Sequence, residues 1–229
     1  MSQIIRETWR HARTVCFDVD STVSPDEGID VLADIAGVGP QVAALTGSAM
    51  GGSMTFQEAL RRRLDLIRPS RALLAECLRR HPPRLVPGIA ALVAALHGRG
   101  VAVHLVSGGF EPLVLPLAEM LKIPVKNVHA NAFVHAADGS FGGFAADRPT
   151  ARRGGKADVL AKLRSQPGSA PLVMVGDGAT DLESRPAADG FIGFGGVVVR
   201  EKVKAGADWF VTDFAELLTA LDGPASAAS

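Results

Sequence analysis

The chain has 229 residues, of which 47% are hydrophobic and 21% charged, a globular mix that excludes a disordered or low-complexity polymer. Lys and Arg number 24, as do Asp and Glu, so no net basic field exists to recruit nucleic acid or an anionic membrane. The longest apolar run, IAALVAAL, is too short to span a bilayer, and the opening MSQIIRETWRHART lacks the apolar centre of a secretory signal.

A soluble, cytoplasmic protein with a small-molecule partner, and neither nucleic acid nor membrane, is therefore expected. Cys16 in an apolar strand and Cys77 in a helical stretch read as reduced core thiols.

In chain order, TVCF (14–17) reads as a buried strand. From residue 22 to 84 only helical patterns occur, which predicts an inserted helical cap subdomain. Its best-defined helix, TFQEALRRRLDLI, opens with Thr55 and carries Glu58 three residues on, the spacing of a capping box. At 100° per residue, Phe56, Leu60 and Ile67 share a face with Arg63, whereas Arg61, Arg62 and Asp65 point away. An inward guanidinium wants a carboxylate or phosphate partner, either a ligand's or that of an internal salt bridge. Next come the helical GIAALVAALHGRG, the strand VAVHLV (101–106), the helical EPLVLPLAEMLK and a β-hairpin at about 131–145 around Asp138-Gly139. KADVLAKLRS reads as a helix, PLVMV (171–175), GFIGF (190–194) and WFVT (209–212) as strands, and DFAELLTAL as a final helix. Strands alternating with helices predict an α/β fold, a Rossmann-like parallel sheet flanked by helices. The expected organisation is a core of residues 1–21 and 85–222, the cap at 22–84 and a flexible tail at 223–229.

In such a sheet, ligands bind beyond the carboxyl ends of the strands. Asp18 and Asp20 leave the first strand, Ser107-Gly108-Gly109 the second, and GDGATD, with Asp177 and Asp181, the third. Any one exit has an ordinary reading, because Asp and Ser cap helices and Gly makes turns. Together they converge four carboxylates, which a hard cation must compensate, and an oxygen-only ligand set suits Mg2+. Ser107 and the following backbone N–H groups are donors fit for phosphate. Lys156 begins a helix, where the dipole disfavours a cation, yet it shares a face with Leu160 and Leu163. RRGGKA is no P-loop, since Ala157 stands where Ser or Thr is needed. The six histidines lack metal-ligand spacing, and His104 reads as a core residue.

DVDST, SGG, Lys156 and GDGATD resemble, in order and on the expected elements, the four motifs of the haloacid dehalogenase-like hydrolases. DEGID, AMGG, LIRPSR, LVPGI, FIGFGG and VTDFAELL extend the likeness along nearly the whole chain, toward members that hydrolyse phosphoserine. The helix after SGGF departs from the pattern in its prolines, Pro112 and Pro116.

The resemblance implies that Asp18 is a nucleophile forming an aspartyl-phosphate and that Asp20 is the general acid and then base. It implies Mg2+ held by the Asp18 carboxylate, the Asp20 backbone carbonyl and Asp177, with Asp181 orienting the metal's water or Lys156. Ser107, Gly108, Gly109, Lys156 and Thr180 would hold the phosphoryl group, Arg63 the substrate carboxylate and Glu27 its ammonium, with Met50, Gly51 and Phe56 lining the pocket. The implied reaction is hydrolysis of O-phospho-L-serine to L-serine and phosphate, the last step of serine biosynthesis; a homodimer is left open by the sequence. Phosphotransfer to another alcohol such as homoserine, or silent binding of a phosphoamino acid, stays open.

Overall fold

The computed structural model describes residues 3–50 and 54–222, with the backbone alone at 48–50. Its elements are α1 (Gln3–Arg10), β1 (Thr14–Phe17), α2 (Gly28–Ile35), α3 (Gly39–Met50), α4 (Phe56–Ile67), α5 (Arg71–Arg80), α6 (Ile89–Gly98) and β2 (Ala102–Phe110). They continue with α7 (Glu111–Met120), β3 (Val128–Asn131), β4 (Phe133–His135), β5 (Phe141–Phe144), α8 (Gly155–Arg164), β6 (Leu172–Gly176) and α9 (Ala179–Ser184). The chain ends in β7 (Gly190–Phe194), α10 (Glu201–Gly206), β8 (Trp209–Val211) and α11 (Phe214–Leu221). Six strands form one parallel sheet in the order β3-β2-β1-β6-β7-β8, flanked by helices. The expected Rossmann-like α/β core is therefore the fold.

Alternation along the strands builds two cores. Val15 and Phe17 of β1, with Val173 and Val175 of β6, face a cluster that includes Trp9 of α1, Leu92 of α6 and Phe214 of α11. Cys16 and Met174 point the other way, toward Val159, Leu160 and Leu163 of α8 and Val203 of α10. Each large side chain so buried stabilises the fold by about 1.5–3 kcal/mol. Both cysteines are free and buried, and burial pushes their thiols up, Cys16 well beyond the ordinary range.

Between β1 and α6, helices α2 to α5 share a cluster of Leu32, Ala33, Val42, Ile67, Leu74 and Cys77, against which Leu113 and Phe133 also pack. Ser70 caps α5, its hydroxyl accepting from Leu73 N at 3.1 Å. Of the capping box at α4, one half forms: Thr55 Oγ1 accepts from Glu58 N at 3.2 Å, while the Glu58 carboxylate turns to Arg62 at 2.5 Å. β4 and β5 pair antiparallel, and Gly139, at φ +82°, adopts the left-handed geometry of the turn between them.

Three differences from the sequence reading have physical causes. Residues 3–10 form α1, a short polar helix anchored by buried Ile5 and by Trp9, whose Nε1 donates to Leu217 O at 2.9 Å. β3 is a four-residue edge strand with two partly exposed positions, too short and mixed to show in the pattern. The strand expected at 101–106 runs on to Phe110, because β3 pairs with it again at Asn131 after a register shift. Pro116 does not break α7, which continues to Met120. His104 sits in the sheet as expected, its Nδ1 3.1 Å from His129 Nε2. Among the described residues, no helix is long and apolar enough to cross a membrane.

Candidate active site

The exit of β1 builds the centre of the site. Asp18 N donates to Val175 O at 2.9 Å, extending the ladder by one residue. The chain then doubles back: Thr22, Val23 and Ser24 N–H groups all donate to Val19 O, at 3.2, 2.9 and 2.9 Å. Ser21 takes the left-handed conformation at φ +55°. This knot leaves Asp18 and Asp20 in different surroundings. Asp18 Oδ1 accepts from Val19 N at 2.7 Å and lies 2.6 Å from Lys156 Nζ. Asp20 Oδ1 accepts from Gly28 N, at the start of α2, at 2.8 Å. Burial, then the charges of Asp18 and Glu27, push the Asp20 carboxyl up to about 7 against that N–H.

Lys156 stands in the first turn of α8, 7% exposed. A Cβ on the preceding Gly155 would lie 1.7 Å from Pro149 O, so only glycine lets the helix start there. Besides Asp18, the ammonium donates to Asp181 Oδ1 at 2.6 Å. Burial alone would lower its pKa, but Asp18 and Asp181 outweigh burial and hold it above the ordinary lysine value. Asp181, fully buried, also accepts from Gly178 N at 2.9 Å through Oδ2. Asp177 Oδ1 accepts from Thr22 Oγ1 at 3.0 Å, and its Oδ2 from Arg200 Nε at 2.9 Å. Burial and Asp18 push both carboxyls up.

Asp18, Asp177 and Asp181 each present a carboxylate oxygen within 4.8 Å of the others, and all three are buried. An oxygen-only, acid-rich cluster in which burial and the charge of Asp18 push Asp177 and Asp181 toward protonation fits a hard divalent cation, which would relieve the repulsion. The Asp20 carboxylate does not join that cluster; it is committed to Gly28 N.

A cavity of about 180 Å³ opens onto these groups. Of the residues expected from the sequence, Asp18, Asp20, Glu27, Phe56, Gly108, Lys156, Asp177 and Thr180 line it. Ser107, Gly109 and Asp181 support it from beneath: Ser107 Oγ accepts from Gly109 N at 2.8 Å, and a Cβ on Gly109 would come within 3.2 Å of Asp20 Oδ2. Arg63 is not in the lining. It is half-buried on α4, its Nε donating to Ala59 O at 3.3 Å, in the field of Asp30 and Glu27. Among the described residues no acid lies within 4.0 Å of its guanidinium, so the internal salt bridge does not form. Gly51 and the Met50 side chain lie outside the described residues.

Arg200, Thr150 and Arg152 also line the cavity and were not picked out from the sequence. Arg200 bridges Asp177 and Glu27, the latter at 3.6 Å, from the residue before α10. The signal that exposed Lys156, a cation at a helix start against the dipole, applies to it equally.

A family model for haloacid dehalogenase-like hydrolases matches residues 15–184. The chain belongs to that family of hydrolases, many of whose members use Mg2+. Over 218 residues it is 49% identical to the phosphoserine phosphatase of Bos taurus, covering 95% of this chain and 97% of that one. A solved structure of DsGPDH of Dunaliella salina superposes with a TM-score of 0.84 at 36% identity, covering 96% of this chain and 38% of that one. A phospho-aspartyl intermediate analogue of phosphoserine phosphatase gives 0.77 at 28% identity, covering 91% and 98%. Within the hydrolases the chain groups with the phosphoserine phosphatases.

Proposed function

We propose that this chain hydrolyses O-phospho-L-serine to L-serine and phosphate in the cytoplasm, closing serine biosynthesis. The observation that carries the reading is the division of labour between two neighbouring acids. Asp18 faces the Lys156 ammonium at 2.6 Å, whereas Asp20 is pushed up to about 7. One carboxylate thus faces a fixed cation from which to attack, and the other is ready to carry a proton near neutral pH.

Asp18 attacks phosphorus, and the bond from phosphorus to the seryl oxygen breaks, its electron pair leaving with that oxygen. Asp20 delivers its proton there. Serine departs, leaving the phosphoryl group on Asp18. Asp20, now ionised, takes a proton from water as the water attacks phosphorus, and Asp18 is released. Lys156, Ser107, the Gly108 and Gly109 backbone and Thr180 hold the phosphoryl oxygens. Mg2+ would be held by the Asp18 and Asp177 carboxylates and the Asp20 backbone carbonyl, with Asp181 behind, and would supply positive charge near the transferring group. Residues 22–84 serve as a cap over the core of 1–21 and 85–222, where Glu27 takes the substrate ammonium, Arg63 its carboxylate, and Phe56, Met50 and Gly51 enclose it.

The direct test is magnesium-dependent phosphate release from L- and D-phosphoserine, phosphothreonine and sugar phosphates, with homoserine added in parallel. Phosphoserine should dominate and no phosphohomoserine should form. Equal turnover of sugar phosphates would sink the substrate assignment.

Arg63→Ala should lower kcat/KM for phosphoserine by about 30- to 100-fold, as expected for a truncated partner of a desolvated charge. An aryl phosphate, which lacks the carboxylate, should lose less than about threefold. Equal losses on both would remove Arg63 from the carboxylate site.

A further inference from the structure

The phosphate-facing turn Ser107-Gly108-Gly109 is a bulge in the sheet. β2 pairs with β3 at Val106↔His129 and next at Phe110↔Asn131, so three residues of β2 stand opposite the single Ala130. A bulge strips backbone groups of their ladder partners, and buried ones must be satisfied elsewhere. Here the side chain of Asn131 does so. Its Nδ2 donates to Gly108 O at 2.8 Å, and its Oδ1 accepts from Thr150 Oγ1 at 2.8 Å. Asn131 is fully buried and Thr150 4% exposed, so neither bond competes with bulk water.

The Gly108 carbonyl and the Gly109 N–H belong to one planar peptide unit. Asn131 holds one end of that plane, and Ser107 Oγ accepts the Gly109 N–H at the other, at 2.8 Å. The bonds run head to tail: Thr150 O–H to Asn131 Oδ1, Asn131 N–H to Gly108 O, Gly109 N–H to Ser107 Oγ. Because the hydroxyl oxygen of Ser107 is engaged as an acceptor, its proton is the group left to donate. Among the described residues no acceptor is placed on it. Donor chains of one polarity strengthen each successive donor, most effectively where water is excluded.

We propose that Asn131 and Thr150 are positioning residues that orient and polarise the Ser107 hydroxyl as a donor to the phosphoryl group. The relay rests on the assignment of Ser107 to that group given above. Thr150 lies in the short turn Pro149–Ala151, against which Gly155 is packed so closely that a Cβ would strike Pro149 O. The relay therefore ties the Ser107 donor to the support of Lys156, so that the neutral donor and the cation are held in one frame.

The test is a double-mutant cycle read by calorimetry with inorganic phosphate in the presence of magnesium, which needs no turnover. Thr150→Val keeps the shape and deletes the first donor; it should weaken phosphate binding about tenfold, the worth of one good hydrogen bond. Thr150→Ser restores the hydroxyl and should bind within about twofold of the parent. In a Ser107→Ala background, Thr150→Val should cost less than about twofold, because the group it acts through is gone. A tenfold loss in both backgrounds would overturn the relay and leave Thr150 a local packing residue. No effect of Ser107→Ala on phosphate affinity would overturn the Ser107 assignment and the relay with it. Unchanged affinity in Thr150→Val would overturn the relay alone.

Discussion

Asp18→Asn is expected to reduce phosphate release by about four orders of magnitude or more while leaving the chain folded. An amide cannot attack phosphorus, and no other acid can take over. Asp20 is drawn toward Gly28 N, and the Asp177 oxygens are engaged by Thr22 and Arg200. The stability outcome is the more discriminating half of the prediction. Asp18 is among the charges that push Asp20, Glu27, Asp177 and Asp181 up, so its ionised form strains all four neighbours. Asparagine removes that repulsion and keeps the shape, and Lys156 retains Asp181 at 2.6 Å. In metal-free buffer the variant should therefore melt at or above the parent temperature. With magnesium the order should reverse, because the parent gains more from the cation. The checks are phosphate release and circular-dichroism melts with and without magnesium. Residual activity above about one part in a hundred would take the nucleophile role from Asp18, and a large fall in melting temperature without metal would refute the repulsion.

Most of the site was legible because its signals are local. An apolar run followed by Asp-x-Asp reports both the strand and its exit, and Lys156 betrays itself by standing at a helix start on an apolar face. Glycines at 109 and 155 mark places where backbone or side chains pass too close for a Cβ. What stayed hidden depends on partners distant in sequence. The Asn131 side chain matters only because β3 ends opposite a bulge in β2, and the bulge itself exists only in the paired sheet. Arg200 is one charged residue in VVVREK until folding brings it to Asp177, 23 positions away. α1 is short and polar, and although Ile5 and Trp9 stand four apart on one face, the α11 surface that anchors Trp9 lies 208 positions away. Arg63 shows the intermediate case. Periodicity places it inward, but the identity of its partner lies between helices, and among the described residues its guanidinium bonds only the Ala59 carbonyl, in the field of Asp30 and Glu27.

Lys156→Met should damage stability and catalysis together, in a way that depends on pH. The ammonium lies 2.6 Å from both Asp18 and Asp181, each of them buried. Removing one partner of a buried ion network leaves uncompensated charge, at about 3–5 kcal/mol. For a chain of this size that corresponds to a melting temperature lower by about 10 °C. The sign with pH follows from the carboxyls. Without Lys156 the Asp181 carboxyl, already raised by burial and by Asp18, rises further above its unfolded value. Between those values the folded state binds more protons than the unfolded one, so stability falls as pH rises. The deficit relative to the parent should thus be larger at pH 7 than at pH 5. Magnesium should recover part of the stability by supplying positive charge to Asp18 and Asp181, yet phosphate release should stay depressed by about a thousandfold, since a cation fixed to the phosphoryl oxygens is missing. Denaturant melts at both pH values, with and without magnesium, separate these outcomes from a packing defect, which would lower stability equally at pH 5 and pH 7. That pH-independent result would mean the ammonium fills space beside the two acids without balancing them.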